Sequence, residues 1–245
     1  MAPKLLLLDP DRVTRPKLEF FASLGLPAAV LTHSNVLERS LNKHIVPCIE
    51  FLRGILGSDA CIRSAASRNP CVFRCDPEKI MRPAVEALRH HGLTKEAISK
   101  LVVRQVGVLA MAPGRIACIF EDLEELGLPI TDPRFFEALC AMCSLSREKW
   151  LRKVSVYQSF GVPADVVLKA FKARPRIMSI SEGNIKKKLR FFVDELKLDP
   201  NDAMGRARVI VLSLEKNILP RCAVLSVLMG EGKIGRDTKL LTSLI

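Results

Sequence analysis

Aromatic side chains are scarce in this chain, with 1 Trp, 1 Tyr and 11 Phe among 245 residues. Leu, Ala, Ile and Val are abundant instead, which favours helices over an aromatic-rich β-sandwich. No apolar run approaches the roughly 18 residues that a bilayer-spanning helix needs, so a membrane protein is not expected. Cysteine is present but never dense. The eight, at 48, 61, 71, 75, 118, 140, 143 and 222, form no disulfide framework and read as reduced thiols of a cell interior or organelle matrix. The N-terminal "MAPKLLLLDPDR" lacks the long Arg/Ser-rich leader of an organelle presequence and the apolar core of a secretory signal. Helical pattern starts almost at once, so the expectation is a processed or truncated chain.

Acidic residues are also in deficit, 26 against 38 Lys and Arg, leaving a formal charge of +12. Such an excess attracts polyanions, nucleic acid first and an anionic membrane surface second, although it also aids solubility. It is uneven, since residues 147–221 carry 17 basic and 8 acidic residues.

Catalytic and metal motifs fail on context. "GEGKIG" at 230–235 matches a dinucleotide pattern but follows a helix and has no βαβ unit around it. "CAMC" at 140–143 and "CVFRC" at 71–75 have no second cysteine pair, so zinc ligation is not expected. His90 and His91 are adjacent, which on a helix points them about 100° apart. No Ser/His/Asp or paired-carboxylate set is visible. The chain reads as a non-enzyme, without cofactor or metal.

Periodicity carries the information. An apolar helical segment ending in glycine recurs at Gly25, Gly57, Gly92, Gly127, Gly161 and Gly230, with Lys197 in the slot between the last two. The intervals are 32, 35, 35, 34, 36 and 33 residues. Glycine just past a helix is the left-handed cap that a side chain would strain. Helix starts recur too. Pro10, Pro77 and Pro113 suit the first helical position, Asp9 and Asp76 suit N-caps, and Ser181 and Ser213 cap later copies. A shorter helical stretch follows each glycine, as in "LTKEAISKLVVR" and "VPADVVLKAFKAR", and then a joint marked by Pro3, Pro70 or Pro175. About seven such units fill the chain, with ragged copies at 31–57 and 135–161. None could bury its apolar face alone, so they must stack into an all-α solenoid. Pro16, Pro47, Pro83 and Pro220 share one early position in their helices, where a repeated kink would curve the stack.

Pro-x-x-Leu/Phe at 70–73, the period near 34 and above all "SLEKNILPRCAVLSVL" at 213–228 resemble the mitochondrial transcription termination factor (mTERF) family, in its large plant branch. The likeness covers 3–230. It implies three-helix repeats stacked into a curved superhelix whose basic concave groove binds nucleic acid. It also implies a role in organelle transcription (termination, initiation or pausing) or, for some plant members, RNA maturation, in mitochondrion or chloroplast. Val106 and Arg208 stand where the joint proline belongs and Lys197 where a glycine does, so those copies are expected to be looser. The domain reading is a repeat domain at 1–232 with a tail at 233–245.

Candidate contacts to phosphate are basic residues recurring at one position. Arg68, Arg104, Arg174 and Arg206 all precede a joint and are expected to form a row, although arginine there also complements a helix C-terminus. Lys149, Arg152, Lys153, Arg176, Lys187, Arg190 and Arg208 complete the basic zone. Three successive lysines at 186–188 fan over roughly 200°, so not all can face one ligand. Lys216 lies opposite the apolar stripe of its helix. Arg221 falls inside the stripe, where it would satisfy carbonyls opened by the Pro220 kink or pair with a carboxylate; contact with DNA is the alternative. Tyr157 is the aromatic candidate for base stacking; Phe160, Phe171, Phe191 and Phe192 read as core. The expected partner of this monomeric chain is duplex DNA, held as a clamp that obstructs polymerase. RNA for splicing or rRNA maturation is the alternative, and a protein scaffold the third reading. Organelle transcription or RNA-processing proteins are possible further partners.

Overall fold

A computed structural model of the chain describes residues 10–26 and 36–233. Every regular element among the described residues is helical. None of these helices is long and apolar enough to cross a membrane. Pro3, Asp9 and most of the 233–245 tail lie outside the described residues. The chain divides into two compact units, 1–125 and 126–245.

The repeat is a three-helix unit. In the second copy the first helix runs from a wide turn at Leu41–Ile45 into Val46–Leu56, Asp59–Arg68 follows, and the joint is a short 3₁₀ helix, Pro70–Arg74. The third copy repeats this with Pro77–Met81 and Arg82–His90, then Lys95–Arg104, then Val106–Ala110. In the second unit the fifth copy is Arg147–Gln158, Ala164–Ala173 and Pro175–Ser179. The sixth is Glu182–Arg190 continuing through Phe191–Glu195, then Pro200–Gly205 and Ala207–Val211. Raggedness at 31–57 ends where its first helix begins, since Ser40 caps that helix on the Lys43 N–H. In the fourth copy Phe135–Cys143 leads to the cap residue Ser146 with no separate joint helix.

The expected caps form. Asp76 accepts from the Glu78 and Lys79 N–H groups, Ser181 from Asn184 and Ser213 from Lys216. Left-handed backbone occurs at the predicted glycines 25, 57, 92, 127 and 161, and at Lys197 with φ +52°. The last slot is corrected. Gly230 is the final helical residue of Leu219–Gly230, and Gly232, at φ +67°, takes the left-handed turn.

The four prolines act through a change of helix type. Pro16, Pro47, Pro83 and Pro220 are each the second residue of an α segment that follows a five-residue π turn. The N–H groups of Val46, Arg82 and Leu219 bond the carbonyls of Leu41, Pro77 and Leu214, five residues back. A proline ring collides with the carbonyl four residues back and has no N–H to give it, so the widened turn removes both conflicts. The first helices without proline at this place, Pro113–Glu125 and Arg147–Gln158, are plain α-helices. The sixth copy carries a π turn at Phe191–Glu195 without any proline.

Neighbouring copies bury Leu, Ile and Val between them. Phe21 packs on Phe73 at 5.3 Å in the first unit, and Trp150 meets Phe171 edge-on at 4.9 Å in the second. Through this core run three buried lysines. Lys17 donates to the Leu37 carbonyl at 2.6 Å, Lys153 to Met178 and Ile180 at 2.6 and 2.5 Å, and Lys188 to Ile210 at 2.7 Å. Leu37, Met178 and Ile210 each stand three residues before the next copy's cap, Ser40, Ser181 or Ser213. Phe73 stands three before Asp76, and its carbonyl meets the His44 ring at 2.9 Å. Carbonyls at the end of a short helix have no partner within it, and these side chains supply one.

Two outcomes follow. Lys188→Met keeps the length of the side chain but leaves the Ile210 carbonyl unpaired, so denaturant unfolding of that variant should show a loss of about 1–3 kcal/mol. Lys197→Gly should raise stability by about 0.5–1 kcal/mol by removing left-handed strain, whereas Gly57→Ala, with open space around it but φ +75°, should lower it by about 1 kcal/mol.

Candidate nucleic-acid interface

The four arginines expected in one row occupy two adjacent registers. Arg68 and Arg104 are the last residues of their helices, and Asn69 and Gln105 follow as cap residues with φ/ψ of −152/89° and −138/65°. In the second unit that cap conformation belongs to Arg174 and Arg206 themselves, at −147/85° and −109/57°. One residue of slip separates the pairs. Within the first unit the Arg68 guanidinium donates to the Arg104 carbonyl at 3.4 Å, so Arg68 serves the next helix C-terminus while staying exposed.

A second matched pair lies just beyond. Ala207, not Arg208, fills the slot of the joint proline, since the joint helix begins there. Arg208 is therefore the second residue of its joint, as Arg176 is of Pro175–Ser179. The first unit has Cys71 and Gly107 at this register. Repeats five and six thus present Arg174 with Arg176, and Arg206 with Arg208, where repeats two and three present uncharged residues. Arg174, Arg176 and Arg208 are exposed and Arg206 is half-buried. None of the four has an ion pair among the described residues.

The basic residues of the first helices divide differently. Arg152 pairs with Glu148 and, at 3.5 Å, with Glu182 of the next copy. Lys153 departs from the expected phosphate contact: it is 8% exposed and its ammonium is held by two carbonyls. Burial pulls its pKa down, as it does for Lys188. Arg221 is half-buried at the same register. It lies eight residues after its cap, Ser213, where Lys153 and Lys188 lie seven after Ser146 and Ser181. The π turn accounts for the extra residue. Lys149, Lys187, Arg190 and Lys216 are exposed. Tyr157 is fully buried and donates to the Ile177 carbonyl at 3.3 Å, so it is core and faces no base.

Where copies five, six and seven meet lies a cavity of about 340 Å³. Ile180, Val211 and Leu214 form part of its wall, and Ser179, Lys187 and Glu215 bring polar groups to it. The sequence gives Glu182 and Glu215 no distinguishing mark beyond following a capping serine, and both were missed as neighbours of the basic residues. Among the described residues no cluster of His, Cys, Asp or Glu fits a metal ion. His91 stacks on Phe120 at 4.5 Å, which accounts for one of the adjacent histidines.

A family model described as mTERF matches residues 26–244. The chain is also similar to the transcription termination factor MTERF8, chloroplastic, of Arabidopsis thaliana. The two are 18% identical over 225 residues, which is 89% of this chain and 45% of that protein. The chain therefore spans less than half the length of that relative.

Heparin, a polyanion without sequence, separates the two sorts of cation. Replacing Arg174, Arg176, Arg206 and Arg208 together by Gln should bring the protein off a heparin column at clearly lower salt. Lys153→Met should lower the unfolding midpoint by about 1–3 kcal/mol of stability and leave the elution position where it was.

Proposed function

The chain belongs to the mTERF family, and from that premise we propose that it is a nucleic-acid-binding factor of the transcription-termination type, acting inside an organelle. What carries the reading is the four-arginine set on repeats five and six: two matched registers, on successive copies, with no acidic partner among the described residues. Phosphates along a duplex recur at fixed spacing, and binding them releases condensed counterions, so a periodic cationic edge suits them better than it suits a single small anion. Within the first unit Arg68 and Arg104 are exposed at their own helix ends, and in the second unit Lys149, Lys187, Arg190 and Lys216 add exposed charge.

The mechanism is occlusion. Stacked copies hold double-stranded DNA, and a polymerase meeting the bound protein pauses or stops. No bond is made or broken, so the protein acts without catalysis and without cofactor. The chloroplast is the compartment named for the relative from Arabidopsis, and import into isolated chloroplasts against mitochondria decides between the two. The repeat domain is taken as 1–232, working as a monomer beside the organelle's transcription proteins. An RNA-processing role is the second reading, and the carboxylate of Glu215 in the cavity is the observation that favours it.

Anisotropy titrations with a labelled duplex at several salt concentrations test the proposal. Affinity should fall steeply as salt rises. The quadruple Gln variant should flatten the log–log slope by about 0.9 for each phosphate that is no longer neutralised, about 3–4 in all. A flat salt dependence in the unaltered protein, or an unchanged slope in the variant, sinks the reading in favour of a protein scaffold.

A further inference from the structure

The cavity where copies five, six and seven meet has a chemistry that the phosphate edge lacks. Its lining is mostly polar, the exposed groups that reach it including one ammonium, Lys187, one carboxylate, Glu215, and the Ser179 hydroxyl, while Ile180, Val211 and Leu214 supply a smaller apolar part. Lys188 contributes a second ammonium whose nitrogen is already bonded to the Ile210 carbonyl. Glu215 forms no ion pair among the described residues. A bare phosphate would be repelled by that carboxylate, and an apolar ligand would strand both charges. The lining asks for a ligand that offers a negative group to Lys187, a hydroxyl donor to Glu215 and only a small apolar surface. A ribonucleotide unit has all three. Its phosphate suits Lys187 and Ser179, its sugar body suits the smaller apolar part, and its 2′-hydroxyl can donate to a carboxylate, which a deoxyribose cannot do at that carbon.

We propose that this cavity seats one ribose–phosphate unit of an RNA strand, with Glu215 as the group that distinguishes ribose from deoxyribose. The inference rests on the nucleic-acid reading above but concerns a different part of the molecule from the four arginines. A volume of about 340 Å³ admits one nucleotide unit rather than a helix, so the ligand is a single strand or a strand end.

The test uses the full chain and three labelled 12-mers of one sequence: RNA, DNA and 2′-O-methyl RNA. A 12-base-pair DNA duplex is the control, and unlabelled AMP is the competitor. RNA should bind about tenfold more tightly than single-stranded DNA, the size expected for one hydrogen bond to a charged group. The methylated strand should behave as DNA does. Glu215→Gln, a change at an exposed residue, should weaken that preference severalfold. Lys187→Gln should weaken RNA and single-stranded DNA alike. Duplex affinity should be unchanged by Glu215→Gln. Competition by AMP at millimolar concentration would identify a free nucleotide as an occupant of the same seat, and its absence with the ribose preference intact would identify the strand. Equal affinity for RNA and DNA strands, or a full preference surviving in Glu215→Gln, overturns the proposal. Duplex binding with a normal arginine-dependent slope in that event leaves the function reading standing, whereas no binding to any nucleic acid removes both.

Discussion

In four copies the fold depends on closing the end of the joint helix. A short helix leaves its last carbonyls without partners, and here they point inward, between the first helix of the same copy and the start of the next. Lys17, Lys153 and Lys188 each send an ammonium from the first helix to such a carbonyl. Burial disfavours the charge and draws the pKa values down. The arrangement is stable only because the carbonyls would otherwise be unpaired as well. Each lysine therefore couples three things: the rotation of its own helix, the place where the joint ends, and the cap from which the next copy starts. In the second copy His44 reaches the corresponding carbonyl and Cys48 stands at the lysine register, its thiol directed at Val72 and burial pushing it up to about 12. The carbonyl recurs at its place while the group that meets it changes.

This use of cations in the interior is what makes the net charge a poor guide to the surface. Lysines 187 and 188 are neighbours in sequence, yet one is exposed and the other 6% exposed. On a helix a step of about 100° is enough to carry a side chain from the solvent face to the packed one. Arg152 and Lys153 split in the same way, into a surface ion pair and an interior bond. Acidic residues at the start of a following copy, Glu182 and Glu215, then sit close to the cations of the copy before. On the proposed reading the joints carry the phosphate contacts because they are the places where arginine projects without such a neighbour.

Much of the fold was legible because the strongest signals were backbone constraints repeated at a period. Glycine at the left-handed turn and a cap at each helix start are local, and a lysine at φ +52° shows that position 197 follows the rule by geometry when it breaks it by residue type. The prolines were legible as bends, but the π turn was not, because it depends on how the helix relaxes around a missing N–H. Registers failed by one or two residues: Ala207 rather than Arg208 in the joint slot, Gly232 rather than Gly230 at the turn. A slip of one residue is small for a helix boundary and large for a side-chain direction. That is why the repeat could be read from the sequence while Lys153 and Tyr157 were assigned to the wrong side of it.

The difference between the units follows from the same rule. Both have a cap residue after the second helix in nearly one conformation, at Asn69, Gln105, Arg174 and Arg206. Backbone geometry at this position therefore does not require arginine. Asparagine at 69 also accepts from the Cys71 N–H and so stabilises the start of its joint through its own side chain, a bond that arginine has no acceptor to make. Arginine at 174 and 206 gives up that local bond. The neighbouring arginines 176 and 208 lie on joints whose other exposed positions are few. Where a residue type that does less for the fold recurs in successive copies beside a second recurring arginine, its reason is more economically sought in what the edge meets than in how the helix ends.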